Sequence, residues 1–401
     1  MIDNRNFIIC GRCPAVYTSD QITAVHGEEN TTLDVLLAPR SLSGSSRRRG
    51  GLGSLIRRPA NGNTVSAPDS PDLGAIARFR DYTFLCPELH EVSGNRGRQL
   101  PIAIVGSNGS SKSHFLAALI LEVRTMQTLH RLGVRIGDAL YTGAGLSRQI
   151  DEVFKSHQVL ATTPEGGFQG PYGYNLDIGY DPSVEYSLQL FDVSGEELGT
   201  IVKIGENASF LLVSRAIMLL IDPRNIVPTK FDSSAKPMDD IDRMLAADRS
   251  RGGIKRVAVA LREVWQQADS RDLEIPIVVV IAKADSIEWD FDWSAETGRI
   301  EPTDASRPGR VTTTLRESSD RVGAAFNAVG GGSIINEVFD CFGRDHVRFV
   351  AASATSEMPS RGGTGEESAM RWISPRPAGE ALALLQALDM LGAIRDPATD
   401  L

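Results

Sequence analysis

The feature that limits the possible folds most is an apolar run followed by a Gly/Ser-rich loop and then an amphipathic stretch. The run from Pro101 to Val105 is short and rich in β-branched residues, and Gly106-Ser-Asn-Gly-Ser-Ser-Lys-Ser113 follows it directly. From Ser113 to Arg131 the apolar residues recur at helical spacing. The sequence therefore predicts a buried strand, a flexible loop and a helix in direct succession, with a lysine and a small hydroxyl at the start of the helix.

This loop resembles the Walker A motif, G-x-x-x-x-G-K-[ST], with Ser111 at the position of the second glycine. Such a loop points consecutive backbone N–H groups at a phosphate beside the positive end of a helix. Lys112 would reach the phosphate oxygens, and Ser113 offers a hydroxyl to Mg²⁺. The alternative is an ordinary Gly/Ser turn between strand and helix. The residues predicted to contact phosphate are Gly106, Asn108, Gly109, Ser110, Ser111, Lys112 and Ser113.

A second candidate segment is an apolar run that ends in Asp192-Val-Ser-Gly195-Glu196. It resembles the D-x-x-G motif of P-loop GTPases, in which the Asp holds Mg²⁺ through water and the Gly N–H contacts the γ-phosphate. Many GTPases have Gln where Glu196 stands, and a carboxylate there repels the γ-phosphate. We therefore expect slow hydrolysis, with Lys112, Gly195 and Glu196 as the catalytic residues.

Three side chains are candidate Mg²⁺ ligands. Ser113 and Asp192 come from the two segments above, and a switch threonine would complete the set. Thr162 and Thr163, before a Gly-rich stretch, are the candidates, and we favour Thr163. Either threonine could instead serve turn formation.

A third pair of segments suggests a base-reading site. Ala282-Lys283-Ala-Asp285 follows an apolar run and resembles the guanine-reading [NT]-K-x-D motif. An Asp suits guanine because its two oxygens accept from both N1–H and the exocyclic amine. Ser353 and Ala354 resemble the loop whose backbone N–H meets guanine O6. Ala282 departs from the motif and removes a side-chain hydrogen bond worth about 0.5–1.5 kcal/mol.

In this order the motifs resemble the translation-factor-related and Ras-like class of P-loop GTPases, over roughly Pro101 to Ile394. A narrower resemblance, to bacterial double-GTPase-type domains of conflict systems, rests on the Asp-Val-Ser-Gly-Glu-Glu-Leu segment and on cysteines ahead of the loop. The class implies a three-layer α/β fold with a mainly parallel sheet. It also implies a regulatory switch that binds GTP or GDP with Mg²⁺ and hydrolyses GTP. The long spacings from Lys112 to Asp192 and from Asp285 to Ser353 imply insertions.

Apolar periodicity predicts the remaining elements. Gly/Pro/Ser-rich stretches at Thr163 to Gly173 and Ser356 to Gly365 indicate mobile loops. Strands are predicted at Tyr186 to Phe191, Ala216 to Ile221, Ile277 to Ile281 and Val347 to Ala351, and helices at Ile241 to Gln267, Arg321 to Phe342 and Ala378 to Leu391.

The first 98 residues resemble a degenerate zinc ribbon ahead of a GTPase-like domain at 99–401. Cys10 and Cys13 have knuckle spacing, and Cys86 with His90 could add two ligands for Zn²⁺. Leu89 stands where a fourth Cys is expected, so a small apolar appendage without metal is the alternative. Residues 40–72, rich in Arg, Ser and Gly, are predicted to be a disordered insertion.

Composition narrows the partners. A net charge of −9 argues against bulk attraction to nucleic acid, and four cysteines are too few for a disulfide framework. We expect a cytoplasmic protein that does not enter membranes and that has a protein partner or an activating protein. Two other functions remain open: a pseudo-GTPase scaffold that scarcely hydrolyses nucleotide, and a P-loop ATPase without guanine specificity.

Overall fold

A computed structural model of the protein describes part of the chain. The described residues are 7–9, 16–18, 23–26, 29–32, 83–88, 98–106, 110–126, 129–130, 134–139, 143–158, 160, 169–178, 186–192, 214–227, 253–255, 258–259, 275–296, 299–300, 308–355, 360–361, 370–371 and 375–394.

Fourteen strands and five α-helices have both of their ends within these residues. The strands are β1 (Phe7–Ile9), β2 (Val16–Thr18), β3 (Thr23–His26), β4 (Glu29–Thr32), β5 (Thr83–Leu85), β6 (Arg98–Gly106), β7 (Val134–Ala139), β8 (Gln169–Ile178), β9 (Tyr186–Asp192), β10 (Ala216–Ile221), β11 (Ile277–Ile281), β12 (Val347–Ala351), β13 (Ser360–Arg361) and β14 (Met370–Arg371). The helices are α1 (Lys112–Thr125), α2 (Gly143–Ile150), α3 (Pro308–Phe326), α4 (Gly332–Phe342) and α5 (Glu380–Met390).

The centre is a seven-stranded mixed sheet in the order β12-β11-β10-β6-β9-β8-β7. The five strands from β12 to β9 are parallel, whereas β8 pairs antiparallel with both β9 and β7. The chain runs from β6 to one side of the sheet and then crosses to β10 on the other side. This reversal makes a switch point at β6, and open α/β sheets bind ligands beyond the strand ends at such points.

Both faces of this sheet are covered. Alternate residues of β6 divide between two cores: Ile102 and Ile104 pack with α1 and α5, whereas Ala103 and Val105 pack on the face that α4 covers. Helix α3 serves both, since its first half joins the α5 core and its second half the α4 core. The mainly parallel α/β sheet predicted from the sequence is therefore confirmed, with helices on its two faces.

Several predicted elements differ from the structure. The stretch predicted to be a loop through Gly173 becomes β8 from Gln169 onward, and β13 and β14 form a short antiparallel pair inside and beyond the second predicted loop. The helix predicted from Arg321 begins at Pro308 and is interrupted by a π-helical turn, Asn327–Gly331, where Gly330 has φ 109°. Of the helix predicted at 241–267, the described residues 253–255 and 258–259 are helical.

The described N-terminal strands form two small antiparallel sheets, β1-β2 and β4-β3-β5. Cys10, Cys13 and His90 lie outside the described residues, as does the insertion at 40–72. Cys86 is buried just after β5. Zinc at this segment and the 1–98 and 99–401 domain division therefore stay predictions. In the part of the chain that the structure covers, no helix has the length and apolar character needed to span a membrane.

Candidate nucleotide site

The phosphate end of the candidate site lies where β6 ends and α1 begins. Gly106 closes β6 in a crowded position, because a Cβ there would approach Ser110 Oγ to 2.6 Å and the Leu220 carbonyl oxygen to 2.7 Å. Ser111 then takes φ 64° and ψ 32°, the left-handed conformation that glycine adopts most easily. The loop therefore keeps a glycine-type backbone although the sequence places serine there.

Lys112 begins α1 and turns back over the loop. Its Nζ donates to the carbonyl oxygen of Gly106 at 3.0 Å. Burial lowers the pKa of Lys112, and the nearby Asp192 carboxylate opposes that shift. An anion above the loop would favour the charged ammonium further.

Ser113 and Asp192 are brought together from positions 79 residues apart. Ser113 Oγ donates to Asp192 Oδ2 at 3.0 Å. Asp192 ends β9, next to β6 in the sheet, and is buried. Burial raises its pKa, while Lys112 and the Ser113 hydroxyl oppose the rise. A hydroxyl and a carboxylate in contact are a donor set that suits Mg²⁺, which uses few protein oxygens beside phosphate and water.

The other predicted phosphate and switch residues are not placed. Asn108, Gly109, Thr162, Thr163, Gly195 and Glu196 lie outside the described residues. Ser110 is buried within the loop. In the described part of the chain, no cluster of three or more His, Cys, Asp or Glu side chains is arranged to hold a metal.

The base end is assembled from loops that follow β11 and β12. Ser353 Oγ donates a short hydrogen bond to Asp285 Oδ1, across 68 residues of sequence. The backbone N–H of Ala284 donates to the Ala352 carbonyl at 3.0 Å and so joins the two loops. Ala354 follows, half-buried. The predicted base-reading residues therefore do converge.

The Ser353 loop is fixed from the far side by the approach to α5. Ser353 and Ala378 exchange backbone hydrogen bonds of 2.9 and 3.1 Å. Gly379, at φ 93°, is required because a Cβ there would collide with the Ala351 carbonyl. The Glu122 carboxylate on α1 accepts from the backbone N–H groups of Gly379 at 3.2 Å and Ala381 at 2.6 Å. Helix α1 therefore carries phosphate-end residues at its start and supports the base end through Glu122.

His114 lies in the first turn of α1. Its Nε2 accepts from the Leu160 backbone N–H at 3.2 Å. Burial, and then the charge of Lys283, lower its pKa to about 4, so the imidazole is neutral at pH 7. The first turn of α1 therefore lies within electrostatic range of Lys283.

Sequence reasoning missed Asp222, Arg224, His114 and Glu122. Asp222 follows the buried strand β10 just as Asp192 ends β9, so the rule that strand ends line the site could have found it. Glu122 gave no such signal, since its partners Gly379 and Ala381 lie at the start of α5, far along the chain.

Neither the protein-family models nor the curated proteins gave a match to the sequence. Two solved structures of the S. cerevisiae Ski7 GTPase-like domain are similar to the chain, one bound to GDP and inorganic phosphate and one bound to GTP. Their identities are 17% and 15%, and both have a TM-score of 0.28.

The match spans 66% of this chain and 44% of the Ski7 chain, which is less than half of that protein's length. A TM-score this low carries no argument about function. The contacts of the site itself must therefore support any functional conclusion, and the resemblance to bacterial double-GTPase-type domains stays a prediction.

Proposed function

We propose that this protein binds guanine nucleotide with Mg²⁺ through a P-loop and acts as a regulatory switch that hydrolyses GTP slowly. The observation that carries the proposal is the 3.0 Å contact between Ser113 and Asp192 beside Lys112, at the start of α1 and at the switch point of the sheet. An ordinary Gly/Ser turn between a strand and a helix does not need a buried carboxylate from the neighbouring strand.

The phosphate end has the groups that a triphosphate needs. The first backbone N–H groups of α1 have no partner within the helix and carry its positive end, so they favour a phosphate anion. Lys112 can exchange the Gly106 carbonyl for a phosphate oxygen, which is a stronger, charge-assisted partner. Ser113 and Asp192 would hold Mg²⁺, which neutralises phosphate charge when bound.

The base end favours guanine. Asp285 offers two carboxylate oxygens, and the oxygen that accepts from Ser353 retains a second lone pair. The N1–H and exocyclic amine of guanine can therefore both be accepted, whereas adenine offers no such pair. Lys283 would place its aliphatic stem against the base.

One observation favours the ATPase alternative. Ala282 is buried and presents only a methyl group where a hydrogen-bonding side chain would brace the base site. Weaker bracing would relax the choice of base without affecting the phosphates. Whether the protein hydrolyses GTP and switches, or is a pseudo-GTPase, depends on Gly195 and Glu196. A cytoplasmic location, a protein partner and bound Zn²⁺ also remain part of the proposal, on sequence grounds.

Titration with fluorescent GTP and ATP analogues, with and without Mg²⁺, tests the proposal. We expect GTP to bind more tightly than ATP, and Mg²⁺ to strengthen triphosphate binding. Asp192→Ala should keep the fold but remove most of the Mg²⁺ effect. Superimposable Mg²⁺ titrations of mutant and parent would show that Asp192 is not a magnesium residue, and equal affinities for GTP and ATP would favour the ATPase. Single-turnover hydrolysis separates a slow GTPase from a pseudo-GTPase.

A further inference from the structure

A cluster of three charged side chains lies beside the base end, at the ends of β10 and β11. Asp222 Oδ2 accepts from Lys283 Nζ at 2.6 Å and from Arg224 Nη2 at 2.9 Å. Its Oδ1 accepts from the Arg224 side chain and backbone N–H, both at 3.1 Å. The carboxylate of Asp222 is thus engaged on both oxygens by two cations.

The carboxylate is held rigidly. Asp222 is 6% exposed and caps the short 3₁₀ turn Pro223–Asn225 through the Arg224 N–H. Burial alone would raise its pKa, but the hydrogen bonds and charges of Arg224 and Lys283 outweigh burial and hold the pKa below its usual value. Asp222 therefore stays ionised at neutral pH. Burial lowers the pKa of Lys283, and the Asp222 carboxylate opposes that shift.

Lys283 needs such an anchor. Its backbone has φ 52°, a left-handed conformation that is unfavourable for a non-glycine residue. The preceding residue, Ala282, has no polar side chain to brace the loop. The hydrogen bond to Asp222 holds the Lys283 ammonium at the end of β10.

We propose that Asp222 is a positioning residue of the base site, which fixes the Lys283 ammonium so that the lysine stem forms one wall for the base. This inference rests on the proposed function. Asp222 acts through Lys283 and does not touch the nucleotide. The brace that Ala282 lacks is supplied from β10 instead, so base selectivity survives the departure from the [NT]-K-x-D motif.

Asp222→Asn in the full chain tests the proposal, because the amide keeps the shape and loses the charge. We would measure dissociation constants for GTP, ATP and inorganic triphosphate in the presence of Mg²⁺. GTP should bind about tenfold more weakly, as expected for loss of a charge-assisted contact. Inorganic triphosphate, which uses only the phosphate end, should change by less than about twofold. A guanine that is no longer held against the lysine stem also loses its alignment with Asp285, which adenine does not use, so the preference for GTP over ATP should fall.

Asp292→Asn is the matched control. Asp292 also caps a 3₁₀ turn, Trp293–Ala295, but it is exposed and bonded to backbone N–H groups and Ser294. The Asp292→Asn substitution removes the same charge from the same type of turn, and all three dissociation constants should stay at the parent values. If Asp222→Asn fails to fold, Arg224→Gln carries the test, with a loss of GTP affinity of about two- to threefold and no loss of triphosphate affinity.

Two results overturn the inference while leaving the proposed function intact. One is a parent that prefers GTP over ATP and an Asp222→Asn variant that keeps that ratio. The other is an equal loss of GTP and inorganic triphosphate affinity, which would mean that Asp222 supports the fold as a whole. A parent without guanine preference would overturn the proposed function, and this inference with it.

Discussion

The two ends of the site are built in different ways. The phosphate end takes Gly106, Ser111, Lys112 and Ser113 from one continuous strand, loop and helix, and adds a single distant side chain, Asp192. The base end takes its residues from the ends of three strands and from the approach to α5, and tertiary contacts hold it together. A departure from the usual motif therefore means different things at the two ends. Serine at position 111 affects only the local backbone conformation. Alanine at position 282 removes a side-chain hydrogen bond that other elements must replace.

The largest expected effect comes from breaking the phosphate end alone. Lys112→Ala should weaken triphosphate binding by about 2–4 kcal/mol, because a buried charge-assisted phosphate contact is lost. Calorimetric titration with GTP and with inorganic triphosphate should show the same loss for both. If nucleotide affinity is unchanged, the loop is an ordinary turn. If only GTP is affected, the two ends are not separable as described.

The base end can be tested through two buried carboxyl groups beside it, Glu122 and Glu380. Burial, and then the charge of Glu122, raise the pKa of Glu380 well above its usual value. The folded state thus holds this proton more tightly than the unfolded state, so its contribution to stability is present at acidic pH and is lost as pH rises. Glu380→Gln should remove that loss and raise the free energy of unfolding at pH 8 by on the order of 1 kcal/mol.

Denaturant melts of parent and Glu380→Gln between pH 5 and pH 8 check this. The parent should lose stability on going up that range, and the variant should lose less. Phosphate affinity should be the same in both proteins, because Glu380 lies near Glu122 in the C-terminal part of α1 and the phosphate residues lie at the N-terminal end of that helix. Parallel pH profiles would contradict a raised pKa at Glu380.

The smallest expected effect is at Ser111. Replacing it with glycine relieves a left-handed conformation and should stabilise the loop by about 1 kcal/mol or less, since glycine also gains freedom in the unfolded chain. Ser111→Gly should raise GTP and inorganic triphosphate affinity equally and leave base preference unchanged. Ser110→Gly, one residue earlier, is the control and should not tighten binding. A drop in affinity for Ser111→Gly would show that the serine side chain, and not its backbone, matters.

The same contrast explains how far the sequence could predict the molecule. Strands β10 and β11 have the bounds that their continuous apolar runs predict, because parallel strands covered on both faces need no polar alternation. Strand β12 also has its predicted bounds, although Arg348 interrupts its apolar residues. Strand β8 was missed, since Gly170, Pro171 and Gly173 indicate a loop. Pro171 is accommodated at a register shift between Gln169 and Tyr172. The alternation of buried Tyr174 and Leu176 with exposed Asn175 and Asp177 was the signal that favoured a strand.

The site followed the same pattern. Lys112, Ser113 and Asp192 could be predicted because local motifs at strand ends specify them. Asp222 and Glu122 could not be assigned roles, because their partners Lys283 and Gly379 come near only when the sheet and α5 are assembled. Residue types alone do not reveal which distant backbone or ammonium a carboxylate will meet.

The most direct test of the account is base preference in the parent and in Asp285→Asn. If Asp285 accepts from N1–H and the exocyclic amine, the amide variant loses one acceptor and suits xanthine, which carries an oxygen in place of that amine. Competition of GTP, XTP and ATP for a fluorescent nucleotide should show GTP preferred by the parent, and a swing toward XTP of about tenfold or more in the variant. A parent that binds ATP as tightly as GTP, with Asp285→Asn changing neither, would contradict a guanine site while leaving the phosphate loop intact.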